Sequence, residues 1–353
     1  MDLNDLAHIK ALDAEDMIGH INDLPDQLQR AWELGQELEL PQWEGIRQVI
    51  VAGMGGSAIG ADLLASYAQS LSSVPIFVHR DYEVPMWGQG EETLVICSSH
   101  SGNTEEVLSA FEMAVEQGCR VLTVSTGGKL LEAAQANQAT PWVFDHKGQP
   151  RTAVGYSFGL LLAALTRLGL LPDPSAEVAD AIKAMKEQQT AFVPEVPDTG
   201  NPTKRMAGQF VGRWITIYGA GILGPVARRW KTQINELSKT QASFEILPEA
   251  DHNTLQGVVN PEPQFGKSMT IFLRAAHNHP RNQLRDEFTR MGIMLEGQNT
   301  DFVMATGETR LANMWTSLHY GDYASFYLAI AYNVDPTPVA MLAELKDKMA
   351  SAS

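Results

Sequence analysis

Two turns rich in glycine and hydroxyl side chains stand out in the first half of this 353-residue chain. One is GMGGSAIG, from Gly53 to Gly60, and the other is SSHSGNT, from Ser98 to Thr104. Each follows an apolar run and precedes a helical pattern. A helix N-terminus offers unpaired N–H groups and a partial positive charge, so it attracts anions. Glycine lets the backbone approach a ligand closely, and hydroxyl groups donate without adding charge. The two turns together predict a phosphate-binding cradle.

The candidate phosphate-binding residues are Gly55, Gly56, Ser57, Ser99, Ser101 and Thr104. Ser and Thr are also common as helix N-caps, but a cap needs one such residue and the second turn has several. The absence of a P-loop lysine argues against hydrolysis of a magnesium nucleotide. A dinucleotide-binding site is the more specific alternative to a phosphate cradle, because Gly53, Gly55 and Ala58 fit G-x-G-x-x-A. Asp81 follows the second strand as that motif requires, but the hydroxyl cluster is then unexplained.

The elements that must position these turns alternate between strand and helix patterns. Five apolar runs in the first half predict strands: IRQVIVAG, VPIFVHR, ETLVICSS, CRVLTVST and TPWVFDH. Helical patterns separate most of them, which favours a doubly wound parallel sheet with helices on both faces, a three-layer α/β/α architecture. Ligands bind such sheets beyond the carboxyl ends of the strands, where both turns fall.

The same frame recurs in the second half, so the chain is predicted to hold a duplicated α/β domain. VIVAGMGGSAIG aligns with ITIYGAGILG, and TLVICSSHSGNTEEV aligns with MTIFLRAAHNHPRNQL. Only the first copy keeps the hydroxyl-rich loops, and the glycines of GAGILG (Gly219 to Gly224) are assigned mainly a packing role. The predicted bounds are an N-terminal helical segment 1–40 broken at LPDQ, a first domain 41–190, a Pro-rich linker 191–203, and a second domain 204–353 that ends in a helix.

The composition sets further limits. A formal net charge of −16 argues against a general nucleic-acid binder. Only Cys97 and Cys119 are present, which indicates a reducing compartment without disulfides. The N-terminus has no apolar leader pattern, and the longest apolar stretch is interrupted by Arg167, so neither secretion nor membrane insertion is expected and the location is predicted to be cytoplasmic. His277-x-His279 lacks a further ligand pair at suitable spacing, so no metal site is predicted.

Six segments in order carry a resemblance to a known family. They are GMGGSAIGADLL, SxSGNTEE, PRTAVGYSFG, INELSK, DHNTLQG and GDYASFYLAIAYNVDPTPV, and they span about residues 45 to 350. Together they resemble the bifunctional phosphoglucose/phosphomannose isomerase family, which is built from two sugar isomerase (SIS) domains of flavodoxin-like fold. The resemblance implies interconversion of glucose 6-phosphate or mannose 6-phosphate with fructose 6-phosphate through a cis-enediolate, without metal or cofactor. One site can serve both aldoses because the C2 centre, where they differ, becomes planar in the intermediate.

The resemblance implies that Glu236 is the base that moves the proton between C2 and C1. Glu236 flanks an apolar stripe of Val226, Trp230, Ile234 and Leu237 on one predicted helix. Partial burial at the edge of such a stripe suits a general base. On periodicity alone, an exposed structural glutamate is the commoner interpretation of this position.

Three further residues receive roles through the same resemblance. His252 opens the sugar ring and is contributed to the site of the neighbouring subunit, which implies a homodimer. Arg151 stabilises the enediolate with a fixed positive charge. Lys346 approaches the ring oxygen, although Lys348 lies two residues away. One departure from the family pattern is His100, which stands where an aromatic residue is more usual.

Two other classes of function remain open on the sequence. The first is a different SIS enzyme that acts on amino-sugar phosphates with the same phosphate anchor. The second is a sugar-phosphate sensor, which would not need the set of Glu236, His252 and Arg151. A dehydrogenase is the least favoured alternative, and it would bind a nicotinamide cofactor.

Overall fold

A computed structural model describes residues 2–352, so the outer ends of the predicted terminal segments, Met1 and Ser353, lie outside it. The chain starts with three helices, α1 (Leu6–Leu12), α2 (Met17–Asn22) and α3 (Leu24–Glu37). The LPDQ segment was predicted to break a helical hairpin, and this is wrong in position. Its Pro25 lies in the first turn of α3, where proline has no N–H bond to lose and its φ already suits a helix.

The first sheet has five parallel strands in the order β2-β1-β3-β4-β5. The strands are β1 (Gln48–Gly53), β2 (Ile76–His79), β3 (Thr93–Ser98), β4 (Arg120–Ser125) and β5 (Thr140–Val143). The helices between them are α4 (Gly55–Ala68), α5 (Glu105–Glu116) and α6 (Gly128–Ala136). Helix α7 (Val154–Arg167) follows β5, and its first twelve residues are all buried. Helix α8 (Ser175–Gln189) completes this half.

The second sheet has four parallel strands in the order β7-β6-β8-β9. Its elements are α9 (Pro202–Phe210), β6 (Trp214–Ala220), α10 (Gly224–Ser238), β7 (Ala242–Leu247), β8 (Ser268–Arg274), α11 (Pro280–Leu295) and β9 (Asn299–Met304). Both sheets therefore run second-first-third-fourth, and the prediction of two doubly wound parallel α/β sheets is confirmed.

Two helices end the chain and differ in burial. Helix α12 (Arg310–Ala331) is buried along nearly its whole length, whereas α13 (Ala340–Ser351) buries no residue. One apolar cluster contains residues of both halves, including Leu160, Trp230 and Trp315. Trp230 donates its Nε1–H to the Ser317 carbonyl at 2.8 Å. The shared core fixes the two sheets against each other. Within residues 2–352, no helix is long and apolar enough to cross a membrane.

Candidate active site

The two hydroxyl-rich turns lie side by side, as the sequence predicted. Strands β1 and β3 are neighbours, and Gly53 at the end of β1 pairs in register with Ser98 at the end of β3. Helix α4 begins at Gly55 and α5 begins at Glu105. Two helix N-termini thus point to one edge of the sheet, where backbone N–H groups can bind an anion.

Hydroxyl groups in the second turn bond to one another and to the backbone of the turn. The Oγ of Ser99 and the Oγ1 of Thr104 are 2.8 Å apart, and the Gly102 N–H donates to Ser99 Oγ at 3.1 Å. Thr104 is the N-cap of α5, yet its side chain accepts no bond from that helix. Ser101 is exposed and accepts from the Asn103 N–H at 3.2 Å. A side-chain cap of α5 therefore does not explain Thr104, whose hydroxyl bonds to Ser99 instead.

Glycines in the first turn bring another segment of the chain to the cradle. Gly55 has φ +50°, and a Cβ there would meet open space. A Cβ at Gly56 would lie 2.7 Å from the Pro150 carbonyl oxygen and 3.3 Å from the Cα of Arg151. Only glycine at position 56 lets these backbones approach so closely. Ser57, the next residue, is buried with 5% exposure.

Arg151 lies on a short 3₁₀ turn, Pro150–Thr152, and its side chain is only 3% exposed. Its Nη2 donates to the carbonyls of Pro336 at 3.1 Å and Thr337 at 2.5 Å. Its Nη1 faces Glu236 Oε2 at 3.5 Å. Burial lowers the pKa of Arg151, and Glu236 opposes the shift. The guanidinium is thus anchored on one side and directed at the predicted base on the other.

A second buried arginine holds the backbone of the first. Arg229 on α10 and Asp322 on α12 form an ion pair at 2.8 Å, and both side chains are at most 3% exposed. Arg229 Nη2 also donates to the Arg151 carbonyl at 2.8 Å. Breaking such a pair leaves an uncompensated charge, so it is destabilising. Sequence reasoning missed both residues, although Asp322 belongs to the GDYASFYLAIAYNVDPTPV segment.

Glu236 occupies the edge of α10 that the sequence pattern indicated. The stripe of Val226, Trp230, Ile234 and Leu237 is fully buried, and the Glu236 side chain is 28% exposed. Its carboxylate therefore stays accessible at one side while Arg151 lies at the other. The predicted base is thus partly exposed and paired with a buried cation.

Lys239 is a further member of the site that sequence reasoning missed. It ends α10 in a left-handed conformation with φ 55°. Its Nζ donates to the carbonyls of Glu236 at 3.0 Å, Leu237 at 3.0 Å and Asp335 at 2.6 Å. Burial lowers the pKa of Lys239 to about 8, and the Arg151 charge adds to this effect. The final residue of the INELSK segment was the available signal.

Two predicted site residues are not brought to this group within the chain. His252 lies at the end of the 3₁₀ turn Glu249–His252 and is exposed. Lys346 lies on the exposed helix α13, where the neighbouring Lys348 pairs with Glu344 at 2.6 Å. Among residues 2–352, no hydrogen bond or ion pair joins either side chain to Glu236 or Arg151. Their assigned roles stay predictions.

The two histidines of the second-copy loop have structural partners. His277 Nε2 contacts the Glu308 carbonyl at 2.8 Å, and the Nδ1 of His279 accepts from the Arg281 N–H at 3.1 Å as the N-cap of α11. The described part of the chain holds no group of three or more His, Cys, Asp or Glu residues that could bind a metal ion.

Comparison with known proteins agrees with the geometry. Residues 199–349 match the family described as the bacterial phospho-glucose isomerase C-terminal SIS domain. The chain is 36% identical to a bifunctional phosphoglucose/phosphomannose isomerase of Caldicellulosiruptor bescii over 95% of this chain and 99% of that protein. A protein of the same name from Aquifex aeolicus is 32% identical over 87% and 94% of the two chains. The crystal structure of a tagatose-6-phosphate ketose/aldose isomerase from Escherichia coli shares the fold, with a TM-score of 0.71, 16% identity, and coverage of 92% of this chain and 95% of that one.

Proposed function

The chain belongs to the bifunctional phosphoglucose/phosphomannose isomerase family, and from that premise we propose that it interconverts glucose 6-phosphate and mannose 6-phosphate with fructose 6-phosphate. The observation that carries the proposal is the assembly at one edge of the first sheet. Gly56 packs on the Pro150–Thr152 turn, and Arg151 on that turn faces Glu236 at 3.5 Å. A phosphate cradle, a cation and a carboxylate are thus adjacent.

In the proposed reaction, the N-termini of α4 and α5 and the hydroxyls of the two turns hold the 6-phosphate. The residues are Gly55, Gly56, Ser57, Ser99, Ser101 and Thr104. Binding energy from this remote group orients C1 and C2 of the open-chain sugar. The carboxylate of Glu236 removes the C2 proton of the aldose and returns it to C1, with a compensating proton transfer between O1 and O2. Arg151 stabilises the enediolate oxygens, and no metal takes part.

Ring opening requires a further proton-transfer group, and within residues 2–352 no hydrogen bond or ion pair joins His252 to Glu236. We propose that the enzyme acts as a cytoplasmic homodimer in which His252 reaches the site of the neighbouring subunit. Its imidazole then carries the proton between the ring oxygen and O1. Lys346 approaches the ring oxygen from α13. In this proposal, residues 41–190 and 204–353 are the two SIS domains, joined by the linker 191–203.

The decisive experiment measures isomerase turnover on glucose 6-phosphate and mannose 6-phosphate side by side, with EDTA present. Comparable turnover on both is the expected result and supports a dual-substrate, metal-independent enediolate mechanism. Turnover on neither substrate, with fructose 6-phosphate still bound, would contradict the proposal and leave only the phosphate cradle. Loss of turnover that Zn²⁺ restores would contradict metal independence alone.

A further inference from the structure

A chain of hydrogen bonds joins the phosphate-binding turn to the Arg151 turn through two histidines. His100 lies in the middle of the turn after β3, and its Nε2 is 2.9 Å from the Nδ1 of His146. The Nε2 of His146 lies 3.4 Å from Thr152 Oγ1, and Thr152 directly follows Arg151. His146 comes shortly after β5, so the two histidines extend from different strands at the same edge of the sheet.

The hydrogen bond of Thr152 determines which atom donates and which accepts along this series of hydrogen bonds. Thr152 Oγ1 donates its proton to the Gln149 carbonyl at 2.8 Å, so it can only accept from His146. His146 must then carry its proton on Nε2 and accept at Nδ1 from the Nε2–H of His100. His146 is therefore neutral, because it accepts at Nδ1, and both histidines carry a proton on Nε2. His100, His146 and Thr152 are thus successive donors, and the Gln149 carbonyl is the final acceptor.

The surroundings favour neutral imidazoles. Burial lowers the pKa of His100, and it lowers the pKa of His146 to about 4. The charges of His100 and His20 add to the shift at His146, while Asp23 and Asp145 oppose it. The His146 ring also lies 5.7 Å from His20 and 6.0 Å from Tyr156 between centroids. The connection thus persists at neutral pH.

The two segments that these hydrogen bonds join are each held by other bonds as well. The His100 carbonyl accepts from the N–H and the hydroxyl of Thr126, at 3.0 and 2.7 Å, so the turn after β3 is tied to the end of β4. The Thr152 carbonyl accepts from Gln27 Nε2 at 2.9 Å. What His146 adds is the connection between the two ends.

We propose that His100, His146 and Thr152 are positioning residues that hold the phosphate-binding turn in register with Arg151. The inference rests on the proposed function, because it assigns substrate phosphate to one end and the enediolate to the other. The cradle keeps its own bonds when the connection is cut, so phosphate still binds. What changes is the placement of the reacting carbons relative to Arg151, so the chemical step slows.

The test compares His146→Leu, Thr152→Val, Thr152→Ser and the double variant His146→Leu/Thr152→Val, with His277→Asn as the control for a histidine elsewhere. We expect His146→Leu and Thr152→Val each to lower kcat for glucose 6-phosphate about tenfold, the effect of losing one net hydrogen bond. KM and the inhibition constant of inorganic phosphate should stay within about twofold of wild type. Thr152→Ser keeps the hydroxyl and should retain kcat.

The double variant should lose no more than either single variant, because both cut one connection. Multiplied losses in the double variant would overturn the proposal, and so would raised KM with unchanged kcat. If a variant fails to fold, ¹⁵N-histidine NMR on the wild-type protein tests the proposal instead. Both His100 and His146 should then be Nε2–H tautomers. A proton on Nδ1 of His146 would overturn the proposed connection. A wild-type protein without isomerase turnover would instead refute the proposed function, and this inference with it.

Discussion

The turn after β3 and the turn after β8 hold equivalent places in the two sheets but satisfy their polar groups differently. In the first, Ser99 and Thr104 bond to each other and leave the N-terminus of α5 without a side-chain cap. In the second, Arg274 at the end of β8 pairs with Asp286 on α11, and its guanidinium lies 4.3 Å from the centroid of the Phe302 ring. One turn leaves the N-terminus of its helix without a side-chain cap, and the other pairs its charges internally.

The preceding turns differ in the same way. A Cβ at Gly56 would approach the Pro150 carbonyl of a distant segment, so that glycine admits the Arg151 turn. The position of the second copy that aligns with Gly56 is Ile222, so that turn has no glycine there. Gly219 aligns with Gly53 instead, and a Cβ at Gly219 would lie 2.3 Å from the Leu223 carbonyl, within its own strand-to-helix turn. The glycine of the second copy thus serves local packing, as its sequence suggested. The comparison indicates that two copies of one frame can diverge at the strand-end turns while the strand order is kept.

The largest expected effect comes from Glu236, a residue of the second half that faces Arg151 of the first half. Glu236→Gln removes the proposed base but keeps the size of the side chain, so kcat should fall roughly 10³-fold on both aldose phosphates. Glu245→Gln on β7 is the matched control and should keep wild-type turnover. Steady-state kinetics check both variants. Near-normal turnover of Glu236→Gln would mean that Glu236 is not the base.

Arg274→Met tests whether the second-copy turn is structural only. The change leaves Asp286 buried without its partner, and we expect the free energy of unfolding at pH 7 to drop by about 3 kcal/mol. Burial already raises the pKa of Asp286, and Arg274 opposes that shift, so loss of Arg274 raises the pKa further and the variant should lose less stability at acidic pH than at pH 7.

Denaturant titration at the two pH values measures the difference, and Arg274→Met/Asp286→Leu should recover part of it. KM for glucose 6-phosphate should not change in Arg274→Met. A raised KM would show that the second turn also contributes to substrate binding.

Ser99→Ala makes the corresponding change in the first-copy turn. It removes the partner of Thr104 Oγ1 and the acceptor of the Gly102 N–H. KM for both aldose phosphates should rise about five- to tenfold, with a small change in thermal stability, because one net hydrogen bond to the anion site is lost. Inhibition by inorganic phosphate should weaken in parallel. A change confined to kcat would argue against a phosphate-binding role.

Lys239→Arg is expected to have the smallest effect, and it concerns pH. Burial lowers the pKa of Lys239 to about 8, so its charge beside Glu236 and Asp335 is present below that pH and lost above it. Turnover should therefore decline above about pH 8 in the wild type. The arginine variant keeps its charge at any working pH, so the decline should move to higher pH. A pH profile identical to wild type would exclude Lys239 as its cause.

The sequence predicted most of the frame because the apolar periodicity was clear. The strands of the first sheet and the turns after β1 and β3 follow directly from buried runs and Gly- or Ser-rich junctions. Strands β7 and β9 were missed because their alternation is weak: three of six residues in each strand are only partly buried. LPDQ was misplaced because proline starts a helix as readily as it ends one.

The site was predicted less completely, since its contacts span long separations. The Arg151–Glu236 contact joins residues 85 positions apart, and no local pattern encodes it. Arg229, Lys239 and Asp322 act through the backbone or through each other, so their types alone gave no signal. The Gly56 contact with the Pro150 carbonyl was equally invisible, although it explains why that turn needs glycine.

The segment Asp335–Thr337 has a consequence for the order in which the site comes into being during synthesis. Arg151 donates to the carbonyls of Pro336 and Thr337, and Lys239 donates to that of Asp335. The two acceptors of Arg151 are made 185 and 186 residues after it. A nascent chain can therefore complete its first sheet and its phosphate cradle long before Arg151 acquires its anchors. Arg151 can bind these anchors only after residues 336 and 337 have been synthesised.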